Sequence, residues 1–363
     1  MMSFLAHLKR FDWQLVWSSF ALVGIGLISL YSSSLQSRDF SNVEKQAIFF
    51  GIGILLMLLF SFFDWRVLRN DSYTIPLLYL LGVIALAGLF FLAPEIRGIK
   101  RWYRIGEILV DPIEYIRIIL ILLLAKYFSK RHIEIYRIRH IVISGIYFGI
   151  PIALIFFQPE LGSILLLSFV WIAMLLVAGI KLRHLLLVFL IGIIVASSGW
   201  AFVLKDYQKN RVLSFIEPGL DPLGLGWSQY QSKIAIANGG LFGQGLGKGT
   251  QTQYGFLSEP QTDFIFASIA EEFGFVGVAV VCSLFLVLLA RIIKIGMESE
   301  SNFPRLFSSG IAATLIAGIF INIGMNLGLL PIVGLPLPLV SYGGSGLIMT
   351  FLGLGVLQSI KAH

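Results

Sequence analysis

Apolar residues in this chain come in long unbroken runs, without the alternation of a half-buried strand or the stripe of a surface helix, and polar residues gather between the runs. Runs long enough to cross about 30 Å of hydrocarbon at about 1.5 Å per residue fall at 13–31, 46–63, 73–92, 112–128, 141–157, 162–179, 185–204, 262–292, 306–330 and 343–360. They predict an all-α polytopic membrane protein of about ten transmembrane helices, read as one domain over 1–363, with a large loop or lid at 205–262 between spans seven and eight. Lys9 and Arg10 before the first run and Ser32, Ser33 and Ser34 after it imitate a signal peptide, but nine further spans favour an uncleaved first helix. The eighth run exceeds what a span needs, so part of it is expected outside the hydrocarbon.

Composition agrees with this and charge orients it. The chain is 57% hydrophobic and 13% charged, with a mean hydropathy of +0.87, far from a soluble domain. An even number of spans puts both termini on one side, and the loops of that side carry 15 of the 27 Lys and Arg residues, marking it as cytoplasmic. The net charge of +7 is thereby accounted for without nucleic acid, which is excluded as a partner. The outer loop holding Arg97, Lys100, Arg101, Arg104 and Arg117 has a cation density that the orientation rule does not explain. His7, His132, His140, His184 and His363 all fall on the cytoplasmic side and Cys282 lies within an apolar run, so acid–base chemistry on the outer face is left to carboxylates.

Asp263 stands where the eighth span begins. A helix N-cap is one reading of it, and a base facing an outer cavity is the other. Glu271 and Glu272 lie two turns further on, at a depth where carboxylates face polar interiors. Asp111-Pro112-Ile113-Glu114 has the pattern of a capping box, with Arg117 on the face of Glu114. Beside Arg101, Trp102 and Arg104, this helix start suits phosphate groups, and attraction to anionic headgroups is the alternative. Gln158-Pro159-Glu160 reads as a plain turn. The uncharged, Pro- and Gly-rich stretch 331–345, with Ser341 near its end, must be buried or line a cavity, as a re-entrant turn does. The glycines of 239–249 imitate a nucleotide loop, but Phe242 and Gly249 break that spacing, leaving close packing and mobility over a cavity mouth.

Several blocks together resemble the SEDS proteins (shape, elongation, division and sporulation). They are Asp221-Pro222-Leu223-Gly224, Gln231-Ser232-Lys233-Ile234-Ala235, Thr262-Asp263-Phe264-Ile265-Phe266-Ala267, Ala270-Glu271-Glu272-Phe273-Gly274 and the stretch from Pro336 to Ser345. The 231–235 block and Gly249-Thr250-Gln251-Thr252-Gln253 look more like the RodA elongation branch than the FtsW division branch. The resemblance implies a glycosyltransferase of the bacterial cytoplasmic membrane that polymerises lipid II on its outer face. The family's essential aspartate falls on Asp263 and its tryptophan on Trp102. Its Gln-Pro-Ser-Glu motif with a following Lys appears as Asp111-Pro112-Ile113-Glu114 and Arg117, so Asp111, Ile113 and Arg117 depart from the pattern.

Residues and resemblance together give an expected site. Asp263 is the general base on the acceptor 4-hydroxyl. Arg101, Trp102, Arg104, Glu114, Arg117, Lys233, Gln158 and Ser341 bind substrate, and Asp111, Glu271 and Glu272 support. Undecaprenyl pyrophosphate leaves against the cations, and a divalent cation (Mg or Mn) has a place at the pyrophosphate. A class B penicillin-binding transpeptidase is the implied partner beside lipid II and the membrane lipids. A lipid II flippase, an FtsW-type division polymerase and a non-catalytic scaffold for a transpeptidase remain alternatives.

Overall fold

The computed structural model describes residues 7, 9–94, 101–106, 108–131, 138–158, 160–202, 206–216 and 225–363. Arg97, Lys100, His132, Pro159 and the Asp221–Gly224 block fall outside the described residues. Ten long helices run alternately up and down: α1 (Trp13–Ser34), α2 (Ser41–Phe62), α4 (Thr74–Leu92), α5 (Pro112–Ser129), α6 (Ile138–Phe156), α7 (Leu161–Ala178), α8 (Leu182–Phe202), α12 (Ile265–Glu298), α13 (Asn302–Leu327) and α14 (Gly344–Ala362). A short α3 (Trp65–Asn70) links α2 to α4, and an antiparallel hairpin, β1 (Tyr103–Ile105) with β2 (Ile108–Val110), precedes α5. Nine of the ten, among the described residues, are apolar enough by composition to cross a membrane. The tenth, α5, carries Glu114, Arg117 and Lys126, yet it is the helix walled in on every side, burying residues from Pro112 to Phe128 almost without interruption. A helix apolar all round belongs at the centre of a bundle, and its charges survive there because each finds a partner. By contrast α8 fully buries no side chain, so most of its circumference is left for lipid.

Both chain ends meet at one end of the bundle. His7 Nε2 lies 3.0 Å from the Ser61 carbonyl, and Arg10 Nη1 donates to the Ala362 carbonyl at 3.1 Å. The opposite end holds the β hairpin, the polar insertion and the 331–345 segment. Among the described residues, His140 and His184 lie at the starts of α6 and α8, at the end shared with His7 and His363.

The insertion is not an extended loop. It folds as α9 (Asp206–Ile216), α10 (Leu225–Gly239) and a single turn, α11 (Thr250–Gln253). Ala235 of α10 packs with Leu257, Phe264, Ala267, Met325 and Ile332 in a second apolar cluster over the ends of α12 and α13. The excess length of the eighth span also has a local cause. At Gly274 the backbone turns to φ 67° and ψ −165°, which breaks α12 two and a half turns after it starts. Residues 240–245 enter the break and take up its polar groups. Phe275 and Val276 N–H donate to the Gly240 and Leu241 carbonyls at 2.9 and 3.1 Å, while Gln244 and Gly245 N–H donate to the Glu271 and Glu272 carbonyls at 2.9 and 3.0 Å. Backbone groups at this depth have no water to turn to, so this exchange is what lets the helix break.

Candidate active site

A cavity of about 670 Å³ opens at the end of the bundle away from the termini. Its walls are the hairpin side (Arg101, Trp102), the start of α5, the start of α7, the turn before α12 and the 333–346 segment, with Leu166, Leu315 and Thr350 reaching toward the bundle interior. Asp263 faces it. The cap reading of this residue fails: α12 begins at Ile265, its N-cap position is Phe264, and no side chain caps it there. Asp263 instead sits in a turn, half-buried, with its carboxylate toward the cavity.

That turn is held from outside the helix. The Asp263 carbonyl accepts from Asn326 Nδ2 at 2.9 Å and Asn322 Nδ2 at 3.1 Å, and Asn322 Nδ2 also donates to the Leu335 carbonyl at 2.8 Å. The Thr262 carbonyl accepts from Ser341 Oγ at 2.6 Å and the Gln261 carbonyl from Tyr342 N–H at 2.9 Å. Three successive carbonyls that a helix would have used are thus tied to α13 and to the 331–345 segment. Glu259, which accepts from the N–H groups of Thr262 and Phe264, takes φ 47°, a left-handed conformation uncommon for a residue with a Cβ. Asn326 Oδ1 accepts from Ala267 N–H at 3.2 Å, so a side chain of α13 supplies the cap that α12 lacks in its own sequence. Asn322 and Asn326 are fully buried. Their spacing of four inside an apolar span was the signal that sequence reasoning missed.

The 331–345 segment is irregular and cavity-lining, as its composition demands. Gln46 of α2 secures it, donating to the Ser341 carbonyl at 3.1 Å and accepting from Gly343 N–H at 3.2 Å. Gly334, at φ 71°, brings backbone close over the acid: a Cβ there would lie 3.7 Å from Asp263 Oδ2. Ser341 lies in the cavity wall with its hydroxyl engaged by Thr262 and Leu337.

The cations are arranged differently from the expected phosphate cluster. Arg101 Nε pairs with Asp111 Oδ2 at 2.7 Å and its Nη1 pairs with Glu160, whose other oxygen accepts from Ser163 Oγ at 2.7 Å. Burial works against the Arg101 charge, but the two carboxylates more than offset it, so its pKa is held above the usual guanidinium range. Its guanidinium lies over the Trp102 ring, 5.2 Å from the centroid. Arg117 pairs with Glu114. Asp111 caps α5 through Ile113 N–H at 2.9 Å with Pro112 at N1, but Glu114 turns to Arg117 and does not complete the box. Glu160, read from sequence as part of a plain turn, is therefore a member of the site.

Other candidates lie elsewhere. Arg104 is exposed and donates to the Gly106 carbonyl of its own hairpin. Lys233 is exposed on α10 beside Gly328, and buried Gln158 donates to the Leu86 carbonyl at 3.0 Å; neither reaches the cavity wall. Glu271 receives the N–H groups of Gln251 and Thr252 at 2.7 and 3.0 Å, and Glu272 receives Ser32 Oγ at 2.6 Å and Gln253 Nε2 at 3.2 Å. These two acids pin the insertion to α12 and α1 instead of lining the cavity. Lys45, Arg211 and Glu259 do line it and were not singled out by sequence. Among the described residues no group of three or more His, Cys, Asp or Glu side chains is placed to hold a metal ion, and Asp111, Glu114 and Glu160 are all committed to arginines.

Residues 13–363 match the family described as "Cell cycle protein", that of FtsW, RodA and SpoVE. "Peptidoglycan glycosyltransferase MrdB" of Escherichia coli K12 is 34% identical over 349 residues, covering 94% of this chain and 91% of that protein. "Stage V sporulation protein E" of Bacillus subtilis is 33% identical over 364 residues, covering 97% of each. A chain from a solved structure, "Structural coordination of polymerization and crosslinking by a peptidoglycan synthase complex", superposes with a TM-score of 0.82 at 32% identity over 97% of each chain. The crystal structure of the rod shape determining protein RodA of Thermus thermophilus gives 0.71 at 31% identity over 96% of each. A match this long, joined to the all-helical bundle and its acid-bearing cavity, makes the chain a multi-pass membrane protein of the FtsW/RodA/SpoVE family.

Proposed function

We propose that this chain is a peptidoglycan glycosyltransferase that polymerises lipid II on the outer face of the bacterial cytoplasmic membrane. The observation that carries it is Asp263: a carboxylate outside any helix, at the wall of a cavity large enough for a disaccharide, with its backbone fixed by Asn322 and Asn326. The glycosyltransferase name of a relative covering 94% of the chain supports the same chemistry. The loop cations at the terminal end of the bundle support an outward-facing cavity.

Asp263 takes the proton from the acceptor's 4-hydroxyl. The oxygen attacks the donor's anomeric carbon, the bond to the pyrophosphate oxygen breaks from the opposite face, and an α-linkage becomes β-1,4. The rigid turn holds the base within reach of the hydroxyl, where misplacement by about 1 Å costs roughly a hundredfold in rate. Trp102 offers an apolar face to a sugar. A divalent cation would enter with the pyrophosphate as its counter-ion. The apolar branch of the cavity past Leu166 and Leu315 suits a prenyl chain. Glycan strands made this way need crosslinking, and the superposed chain comes from a complex that couples polymerisation to crosslinking, which supports a class B penicillin-binding protein as the partner. Elongation over division rests on the blocks at 231–235 and 249–253, since relatives named for both branches lie at 34% and 32% identity.

Purified protein given lipid II tests the reading. Wild type is expected to form polymer without a partner's catalysis, and Asp263→Asn is expected to form none while keeping its thermal stability. Substantial polymer from Asp263→Asn would refute the assignment.

A further inference from the structure

We propose that Arg211, on α9 of the insertion, is the cation that binds the pyrophosphate of the lipid-linked substrate, an inference that rests on the reading of the cavity as a lipid II site. Among the described residues, four cations line the cavity, Lys45, Arg101, Arg117 and Arg211, against five acids, Asp111, Glu114, Glu160, Glu259 and Asp263. Arg101 is held by two carboxylates and Arg117 by one. An arginine already engaged by a buried carboxylate binds an incoming phosphate only by giving up that partner, and leaving a buried acid unpaired is costly. Lys45 is engaged by another group, and its ammonium lacks the planar donor fork that pairs with phosphate oxygens. Among the described residues, the wall's other two arginines are held in salt bridges with carboxylates, and no described carboxylate is bridged to Arg211.

Its position fits the same ligand. α8 ends at Phe202 and α9 begins at Asp206, so α9 follows directly on a span that fully buries no side chain. Four residues of chain reach at most about 14 Å, which keeps α9 within the headgroup layer, where the phosphates of a lipid-linked sugar also lie. On this helix Ser214 is buried while Leu213 and Ile216 are exposed, an apolar surface that suits the headgroup boundary. Arg211 is half-buried and turned into the cavity. A planar guanidinium makes the paired hydrogen bonds that phosphate oxygens accept. The insertion thereby supplies the phosphate contact, and the buried Arg101–Glu160–Asp111 and Arg117–Glu114 pairs shape the floor beneath it.

The test measures equilibrium binding of undecaprenyl pyrophosphate and, separately, of undecaprenol to the full-length protein in phosphatidylcholine nanodiscs. Wild type is compared with Arg211→Gln, Arg211→Lys and, as a charge-loss control outside the cavity wall, Lys248→Gln. Arg211→Gln is expected to weaken undecaprenyl pyrophosphate by roughly tenfold or more, to leave undecaprenol unchanged, and to be partly restored by Arg211→Lys, with no effect of Lys248→Gln. Unchanged pyrophosphate binding overturns the proposal. So does equal loss of both ligands, which marks a structural effect, or a loss seen only when phosphatidylglycerol is added, which marks bulk headgroups as the partner. Lipid II polymerisation by the wild type is read in parallel. Polymerisation with Arg211-independent binding sinks Arg211 alone, whereas Arg211-dependent binding without polymerisation sinks the catalytic reading alone.

Discussion

Truncating Asn326 to Ala separates a catalytic turn that is held in place from one that merely happens to be ordered. The Asn326 side chain donates to the Asp263 carbonyl at 2.9 Å and to the Asn322 carbonyl at 2.8 Å, and accepts from Ala267 N–H at 3.2 Å. Removing it forfeits these bonds at about 1 kcal/mol each in net terms and leaves the Ala267 N–H of α12 unpaired, for a total of about 3 kcal/mol. The protein survives this, since α5 and its neighbours form the core independently of the turn, and its apparent melting temperature in detergent falls by several degrees. The kinetic effect is larger. Asp263 then hangs from Asn322 alone, and kcat for lipid II polymerisation is expected to fall about a hundredfold. Ser232→Ala is the matched control. It removes bonds from Ser232 Oγ to the Asn326 carbonyl at 2.9 Å and, more weakly, to Asn326 Oδ1 at 3.4 Å, costing about 1 kcal/mol, but leaves both amide donors to the Asp263 carbonyl in place, so kcat is retained. A wild-type kcat in Asn326→Ala, or an equal loss in Ser232→Ala, would refute the view that the asparagines position the base.

Two further substitutions address the scaffold. In Gly274→Ala the new Cβ would stand 2.6 Å from the Leu241 carbonyl oxygen, at a backbone conformation open essentially to glycine alone, so a loss of about 2 kcal/mol or more is expected in thermal unfolding; an unshifted transition would show that the break in α12 is not needed. Glu271→Gln removes the charge that holds the N–H groups of Gln251 and Thr252, worth about 1.5–3 kcal/mol. Limited proteolysis should then cut within residues 240–260 faster than in wild type while the long helices stay intact, and an unchanged cleavage rate would remove Glu271 from its role as a clamp.

The helical bundle was legible in the chain's own pattern. Hydrocarbon demands about twenty apolar residues per crossing and forbids open backbone, so the ten runs had almost no alternative to ten helices, and the charged loops could only orient them. Even α5 was legible by its length, although its Glu114 and Arg117 disguise a core helix as a marginal one. The position of Asp263 at the mouth of the eighth span and the irregularity of 331–345 were legible for the same reason: a carboxylate and a run of helix breakers are both out of place in lipid. What those features do was left to the packing of the helices. Whether Asp263 caps a helix or faces a cavity depends on Asn322, Asn326 and Ser341, which come from segments some sixty to eighty residues away. Whether an arginine is available to a phosphate depends on the acid opposite it, and Glu160 reaches Arg101 across 59 residues of sequence. Local pattern fixes which residues must leave water. The pairing of charges and the holding of a turn are settled by neighbours that meet only when the helices pack, which is why the carboxylate partners of Arg101 and its tie to Glu160 could not be read from the chain.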